Sequence, residues 1–451
     1  MSGTAEGHKM SLLGATMLVA GNIIGTGIFL LPVTMATVGS VSIYGWVIAT
    51  LGAGALGLVF AKLGELKPVL GGPYVYAKDA LGPYIGFQTN AVYWLANWMG
   101  NVAIAVSTTG YLAAFIPWIG HRPGSTVGTI AVIWLLTVVN MIGPKFVGRF
   151  ETWTLSLALI PILGIATVGW FWFEPSLFKE AWNVTGKSDF HAASRAASIA
   201  LWAFMGIESA AVSATNIENP RRNVPIATLA GLALSAVVYV SCSTVIMGLI
   251  PNAELQQSHA PFAEAGARIF GGVALLAVAI CAVAKTAGAL GGWMLVVAES
   301  SQAAAQDGMF PKIFGHVDRR GVPVRGLILV SVLMTAVVLL TLQPNLSNQF
   351  DAIVNLAVIL VVLPYLYSAV ALWQVCYQQK VPAKTMRAAI VIGLAAATYC
   401  LWAIYGADSE TTRGAMILVL VTVPIFPFFI RSMRAATERK AAELAGSAVA
   451  Q

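Results

Sequence analysis

Charge is what this sequence has little of. Of its 451 residues only 10% are Asp, Glu, Lys or Arg, while 58% are hydrophobic. A soluble domain carries about 25% charged residues. So low a share excludes an ordinary soluble protein and implies that most of the chain lies in lipid. Cysteine is also scarce. Cys242, Cys281, Cys376 and Cys400 fall in or at the ends of apolar runs. Their spacing fits neither a metal site nor an extracellular disulfide framework, so they read as packing residues. The chain offers no metal-ligand cluster and no nucleophile–base pair. An enzyme therefore has no support, and no metal or cofactor is expected. The first apolar run is too long for a cleavable signal peptide and has no A-x-A-like site closing a short core.

What is present is a series of long apolar runs. We read twelve spans of about 20 residues or more, at 11–36, 40–63, 84–116, 126–144, 152–173, 195–216, 224–250, 272–299, 325–343, 351–376, 388–406 and 412–430. With the N-terminus placed in the cytoplasm, 19 of the 26 Lys and Arg fall in inner segments and 6 in outer ones. This asymmetry predicts that both termini are cytoplasmic. The net charge of +7 is thus a topology signal, and nucleic-acid binding has no support.

The first span is interrupted by Gly21-Asn22-Ile23-Ile24-Gly25-Thr26-Gly27. Each Gly costs about 1 kcal/mol relative to Ala inside a helix, and frayed backbone cannot face lipid. Two readings fit. The break holds substrate at mid-membrane between half-helix ends, or its small residues let another helix pack closely. Span 6 mirrors it, with Gly206, Glu208 and Ser209 at mid-depth. Glu208 is the only carboxylate this reading places deep in the membrane. An acid at the centre of a span costs roughly 2.5–3.5 kcal/mol on the insertion scale, which marks it as functional by default. Two breaks five spans apart predict inverted five-span repeats.

In span 3, Tyr93, Asn97 and Asn101 recur every four residues and share one helix face. They line a cavity or bond neighbouring helices. The segment Gly71-Gly72-Pro73-Tyr74-Val75-Tyr76-Ala77 reads as a re-entrant loop or as a turn beside an interfacial helix. Span 5 looks featureless and reads as scaffold. Span 8 carries Lys285 and, about 12 Å further along the helix, Trp293. Three roles fit Lys285: a coupling group standing in for a bound cation, a partner for Glu208, or a side chain snorkelling into a water-filled vestibule.

A diamine has two ammonium groups on a short apolar chain. Trp202, Trp293, Tyr93 and Tyr365 supply aromatic faces for it, and cation–π contacts contribute roughly 0.5–2 kcal/mol. Glu208 supplies the counter-charge. Amide groups around Gly25 to Gly27 suit the carboxylate of an amino acid. One site can thus take both molecules, as an exchanger requires.

Several separated motifs agree in order and spacing: Gly25-Thr26-Gly27, Trp202 with Glu208, Glu218-Asn219-Pro220-Arg221-Arg222, Gly291-Gly292-Trp293, Asp307-Gly308-Met309-Phe310-Pro311 and Pro364-Tyr365. From about residue 8 to residue 430 the chain resembles the amino acid–polyamine–organocation transporters. Among them it is similar to the bacterial basic amino acid/polyamine antiporters, which include arginine/agmatine, lysine/cadaverine and ornithine/putrescine exchangers. The resemblance implies an all-α integral membrane protein of the bacterial inner membrane. Two inverted repeats (11–173 and 195–376) and two further helices (388–430) would form one transporter domain, followed by a basic cytoplasmic tail (431–451). It implies exchange of a basic amino acid for its decarboxylated amine by alternating access, and a homodimer. The substrate-binding set it implies is Asn22, Ile23, Thr26 and Gly27 in span 1, Ala96, Asn97, Asn101 and Ile104 in span 3, and Trp202, Met205, Trp293 and Ala357. The gating set is Tyr93, Trp202, Glu208, Trp293 and Tyr365, with Glu208 as proton sensor. Ala357 and Asn97 depart from the arginine/agmatine pattern, which has Ser and Cys there, and Lys285 has no counterpart. A proton-coupled amino acid importer with Lys285 as coupling group is the second reading.

Overall fold

The computed structural model describes residues 10–449 apart from 26, 69–71, 213, 215–216, 319–321 and 342–345. Thr26, Gly71, Asn216, Arg319 and Arg320 lie outside the described residues. The described residues are mostly helical. The helices are α1 (Leu12–Ile23), α2 (Gly27–Ala36), α3 (Ser42–Leu66), α4 (Pro73–Leu81), α5 (Pro83–Leu112), α6 (Gly124–Ile142), α7 (Pro144–Thr167), α8 (Pro175–Glu180), α9 (Asp189–Leu201), α10 (Ser209–Val212), α11 (Pro220–Leu249), α12 (Asn252–Leu255), α13 (Pro261–Phe270), α14 (Gly272–Gln306), α15 (Val324–Leu340), α16 (Leu346–Gln378), α17 (Ala383–Gly406) and α18 (Ser409–Val449). Many start with Pro in their first turn, where its missing N–H would have no helical partner anyway. Gly82, Gly143 and Gly271 have φ of 99°, 132° and 88°. At each, a single residue turns the chain from one helix into the next, a conformation that side-chain-bearing residues resist.

Among the described residues, eight helices are long and apolar enough to cross a membrane, and α1 with α2, bent by 41°, make a ninth passage. Three further predicted ranges are also helical. In α5 the Asn-bearing face dilutes the apolar signal, α9 and α10 flank the second break, and α15 has only 17 residues. The all-α, multi-span class expected from composition is therefore what is found.

Three local expectations change. The Pro73–Leu81 segment is a short helix leading through Gly82 into α5, so the turn beside a helix is the form observed. Residues 431–449 continue α18. And α7 begins eight residues before the range read for span 5, at Pro144. Glu151 therefore lies within a membrane-crossing helix, against α14, and Asp351, half-buried in α16, accepts a 2.5 Å hydrogen bond from the Thr34 hydroxyl. Glu208 is not the only acid inside the bundle, and span 5 is not featureless.

The centre of the bundle is built by α1, α5, α11, α14 and α16, with α3 packed between α11 and α9. Tyr239 of α11 stacks on Trp46 of α3 at 5.3 Å. Phe29 meets Tyr111 and Phe262 edge-on at 5.5 and 5.2 Å. These apolar contacts hold the frame in which α1/α2 and α9/α10 are broken.

Candidate functional site

Both breaks are stabilised by specific side chains. The end of α1 leaves carbonyls without helical partners, and the Tyr239 hydroxyl donates to the Ile23 carbonyl at 2.9 Å. After α9, the chain runs through one 3-10 turn at Trp202–Phe204 and then Gly206 at φ 99°. Only glycine takes that conformation without strain. The breaks are tied to one another. Asn22 Nδ2 donates to Ser209 Oγ at 2.8 Å, and that hydroxyl donates to the Gly206 carbonyl at 2.5 Å.

Between the breaks lies a cavity of about 30 Å³. Its walls are Asn22, Ile23, Gly25 and Gly27 from the first break, Asn97, Gly100, Asn101 and Ile104 from α5, and Trp202, Met205 and Trp293. That volume is about the share of one water in the liquid. An elongated amine enters only if a wall moves, and the two indoles are the large flat members of the wall. Asn101 Nδ2 is buried without a hydrogen-bond partner, which leaves an amide donor in the wall. Asn97 Nδ2 donates instead to the Tyr93 carbonyl at 2.7 Å, so this residue both lines the cavity and bonds its own helix. Ala96 and Ala357 are fully buried and are not brought to the cavity wall. Thr26 is outside the described residues.

Two glycines shape the seat of Trp202. A Cβ on Gly100 would lie 2.7 Å from the outer edge of the indole, and one on Gly27 would lie 3.0 Å from its inner edge and 3.1 Å from the Tyr239 oxygen. Gly100→Ala is therefore expected to push Trp202 off its seat. Overpacking of this kind destabilises by about 1–3 kcal/mol, and transport should fall more than folding does. Initial transport rate compared with melting temperature in detergent checks this.

Glu208 is buried beside this cavity and held at both carboxylate oxygens. Tyr93 donates to Oε1 at 2.6 Å and Tyr365 to Oε2 at 2.8 Å. The three side chains come from α5, the second break and α16, so one carboxylate joins three elements. Phe60 packs edge-on against Tyr365 at 5.3 Å. Another cavity, about 190 Å³, shares Asn22 and Trp293 with the first and is bordered also by Tyr93, Glu208, Ser209, Gly292 and Glu151.

Lys285 is fully buried and its Nζ has no hydrogen-bond partner. Glu208 is not its partner, since the hydrogen bonds to both Glu208 oxygens come from Tyr93 and Tyr365. Of the three roles read from the sequence, the Glu208 pair is thus not formed here.

A family model for amino acid permeases matches residues 10–429. The chain belongs to the amino acid permease family. Its relatives include the cadaverine/lysine antiporter of Escherichia coli strain K12, 37% identical over 434 residues that cover 95% of this chain and 96% of that protein. The putrescine transporter PotE of the same strain is 35% identical over 417 residues, covering 92% and 95%. That of Haemophilus influenzae is 32% identical over 425 residues, covering 94% and 98%. These are transporters, in keeping with the expectation that the chain is not an enzyme.

For this permease, sequence reasoning found both breaks, the indole pair and the Tyr–Glu–Tyr cluster. It missed Tyr239, Gly100 and Glu151. Glu151 carried a usable signal. Gly143-Pro144 is a helix-start pair, and beginning the helix there places Glu151 two turns inside it.

Proposed function

We propose that this permease exchanges a basic amino acid for its decarboxylated amine. The observation that supports it best is the site itself. Two indoles wall a cavity between two helix breaks, and a carboxylate clamped by two tyrosines adjoins it. Aromatic faces and one carboxylate suit an ammonium-bearing chain. The N–H groups of the first turn of a helix have no partner within it, so the start of α2 suits the carboxylate that distinguishes the amino acid from its amine. The names of the relatives, a cadaverine/lysine antiporter and two putrescine transporters, point to the same substrates.

In this reading the segments 11–173 and 195–376 are inverted repeats that rock about the two breaks. The protein lies in a bacterial inner membrane with both termini in the cytoplasm, as the Lys and Arg asymmetry requires. Substrate on Trp202 and Trp293 shields the site from one side, and release to the other side requires Glu208 to part from Tyr93 or Tyr365.

The test is counterflow in proteoliposomes. Vesicles are loaded with putrescine, cadaverine, agmatine or nothing, and labelled ornithine, lysine or arginine is offered outside. Uptake is expected only into vesicles loaded with the cognate amine. Equal uptake into empty vesicles driven by an inward proton gradient would instead support proton-coupled import. The observation that favours this second reading is Lys285, buried and without an acceptor for its ammonium.

A further inference from the structure

The gate described above uses one acid, but the larger cavity at Trp293 has two. Glu151 projects from α7 onto the bare backbone of Gly292, where an added Cβ would lie 2.4 Å from its Oε2. That glycine leaves room for the carboxylate beside Trp293. Glu208, Glu151 and Asn22 border this one cavity of about 190 Å³. Glu208 has both oxygens occupied by tyrosine hydroxyls. The Glu151 carboxylate accepts no hydrogen bond from any described residue, and the helix it packs against, α14, is the one that carries Lys285.

Lys285 is the complementary case. It is fully buried and its ammonium has no acceptor. A buried ion without hydrogen bonds is costly and needs a nearby opposite charge. The packing of α7 on α14 provides one. Glu151 lies against Gly292 and Thr154 against Gly288, so the two helices run antiparallel with Lys285 just beyond this contact. Among the described residues no hydrogen bond or ion pair joins Glu151 to Lys285, which stands about two turns of α14 before Gly292. Such an arrangement leaves Glu151 open to another cation.

We propose that Glu151 is a second cation-holding carboxylate, which receives the substrate's leading ammonium after it passes Glu208, and that Lys285 is the resident cation that competes with substrate for it. This rests on the exchange reading above. Glu151 stands two turns after the start of α7 and Gly292 to Val296 lie past the middle of α14, so the cavity is on the side of the bundle that holds the start of α7 and the end of α14, which the Lys and Arg asymmetry assigns to the face carrying the N-terminus. A dication passing two fixed carboxylates would be held tightly. Lys285 loosens that hold, because its own charge replaces the departing ammonium at Glu151 and repels the next.

The two residues must then act in opposite directions, which a structural ion pair would not do. Labelled cadaverine is offered to each face in turn, in vesicles of known orientation. Glu151→Gln is expected to raise KM at the N-terminal face by about tenfold, as for removal of one charged hydrogen-bond partner. KM at the opposite face should stay within about twofold, since no contact there changes. Lys285→Met is expected to lower KM at the N-terminal face by about threefold or more, and to slow turnover, because like-charge repulsion is removed. The double variant should behave as Glu151→Gln does. It also leaves no buried charge unpaired, so it serves if Glu151→Gln alone does not fold.

Restoration of wild-type KM in the double variant would overturn the proposal and make the pair purely structural. So would an unchanged KM in folded Glu151→Gln, or in the double variant. Absence of exchange with putrescine, cadaverine and agmatine alike by the unaltered protein would remove the exchange reading itself, whereas exchange with both single variants shifted the same way removes this inference alone.

Discussion

Glu208→Gln is expected to reduce amine exchange at least about a hundredfold while the protein stays folded. Glu208 accepts from Tyr93 at 2.6 Å and from Tyr365 at 2.8 Å. A carboxylate can accept at both oxygens, whereas an amide has one acceptor oxygen and a donor NH2. One tyrosine hydroxyl is then left facing a donor. Hydrogen bonds to charged groups contribute about 1.5–3 kcal/mol each, and about 1.4 kcal/mol is a factor of ten. The counter-charge for a substrate ammonium disappears as well, and the two losses together give the expected hundredfold. The isosteric amide fills the same volume, so packing around the second break is retained. Counterflow rate and melting temperature, measured on the same preparation, separate the two effects. A rate within about threefold of wild type would count against Glu208 as the counter-charge. Tyr365→Phe removes one hydroxyl and keeps the carboxylate, so an intermediate loss of about tenfold is expected from it.

Trp202→Leu should raise KM for amine and amino acid alike by about tenfold or more, with a smaller change in maximal rate. The indole is the broad aromatic face on the cavity wall, and a cation–π contact contributes up to about 2 kcal/mol when desolvated. Leu fills part of the space above Gly27 and Gly100 but offers no π face. Trp202→Phe is the control. It restores a ring and should recover most of the affinity, because the interaction needs a face rather than an N–H. If Leu and Phe lower affinity equally, the indole acts through its size and not its electron density. Substrate dependence of initial rates at both faces reads this directly.

Much of this site was visible in one dimension. The break at Gly25 and Gly27, Gly206 before Glu208, and the face bearing Tyr93, Asn97 and Asn101 are violations of what a lipid-facing helix tolerates. A single sequence reveals such violations because the rule they break concerns the residue itself. The surroundings of Lys285 were not visible in this way. Two carboxylates, Glu151 and Glu208, lie within reach of that part of the bundle, and choosing between them requires the rotation of α7 about its axis and its register on α14. A shift of two residues turns a helix face by about 200°, which hydropathy averaged over a span does not detect. The same limit hid Gly100, a glycine in a membrane helix like many others until Trp202 is found against it. Ala357 was placed at the site by resemblance, yet it lies buried away from the cavity wall, because a matching position does not guarantee that a helix face points the same way.

The sequence by itself determined the membrane class, the helical ranges, the two interruptions and the acid between them. Each follows from a transfer or conformational cost carried by individual residues. Only the tertiary structure decided that Tyr93 and Tyr365 clamp Glu208 from both sides, that two glycines seat Trp202, and that Glu151 packs onto Gly292 of the helix bearing Lys285. Those are contacts between helices far apart in the chain. Their energies depend on distance and orientation, and these exist only once the bundle has packed.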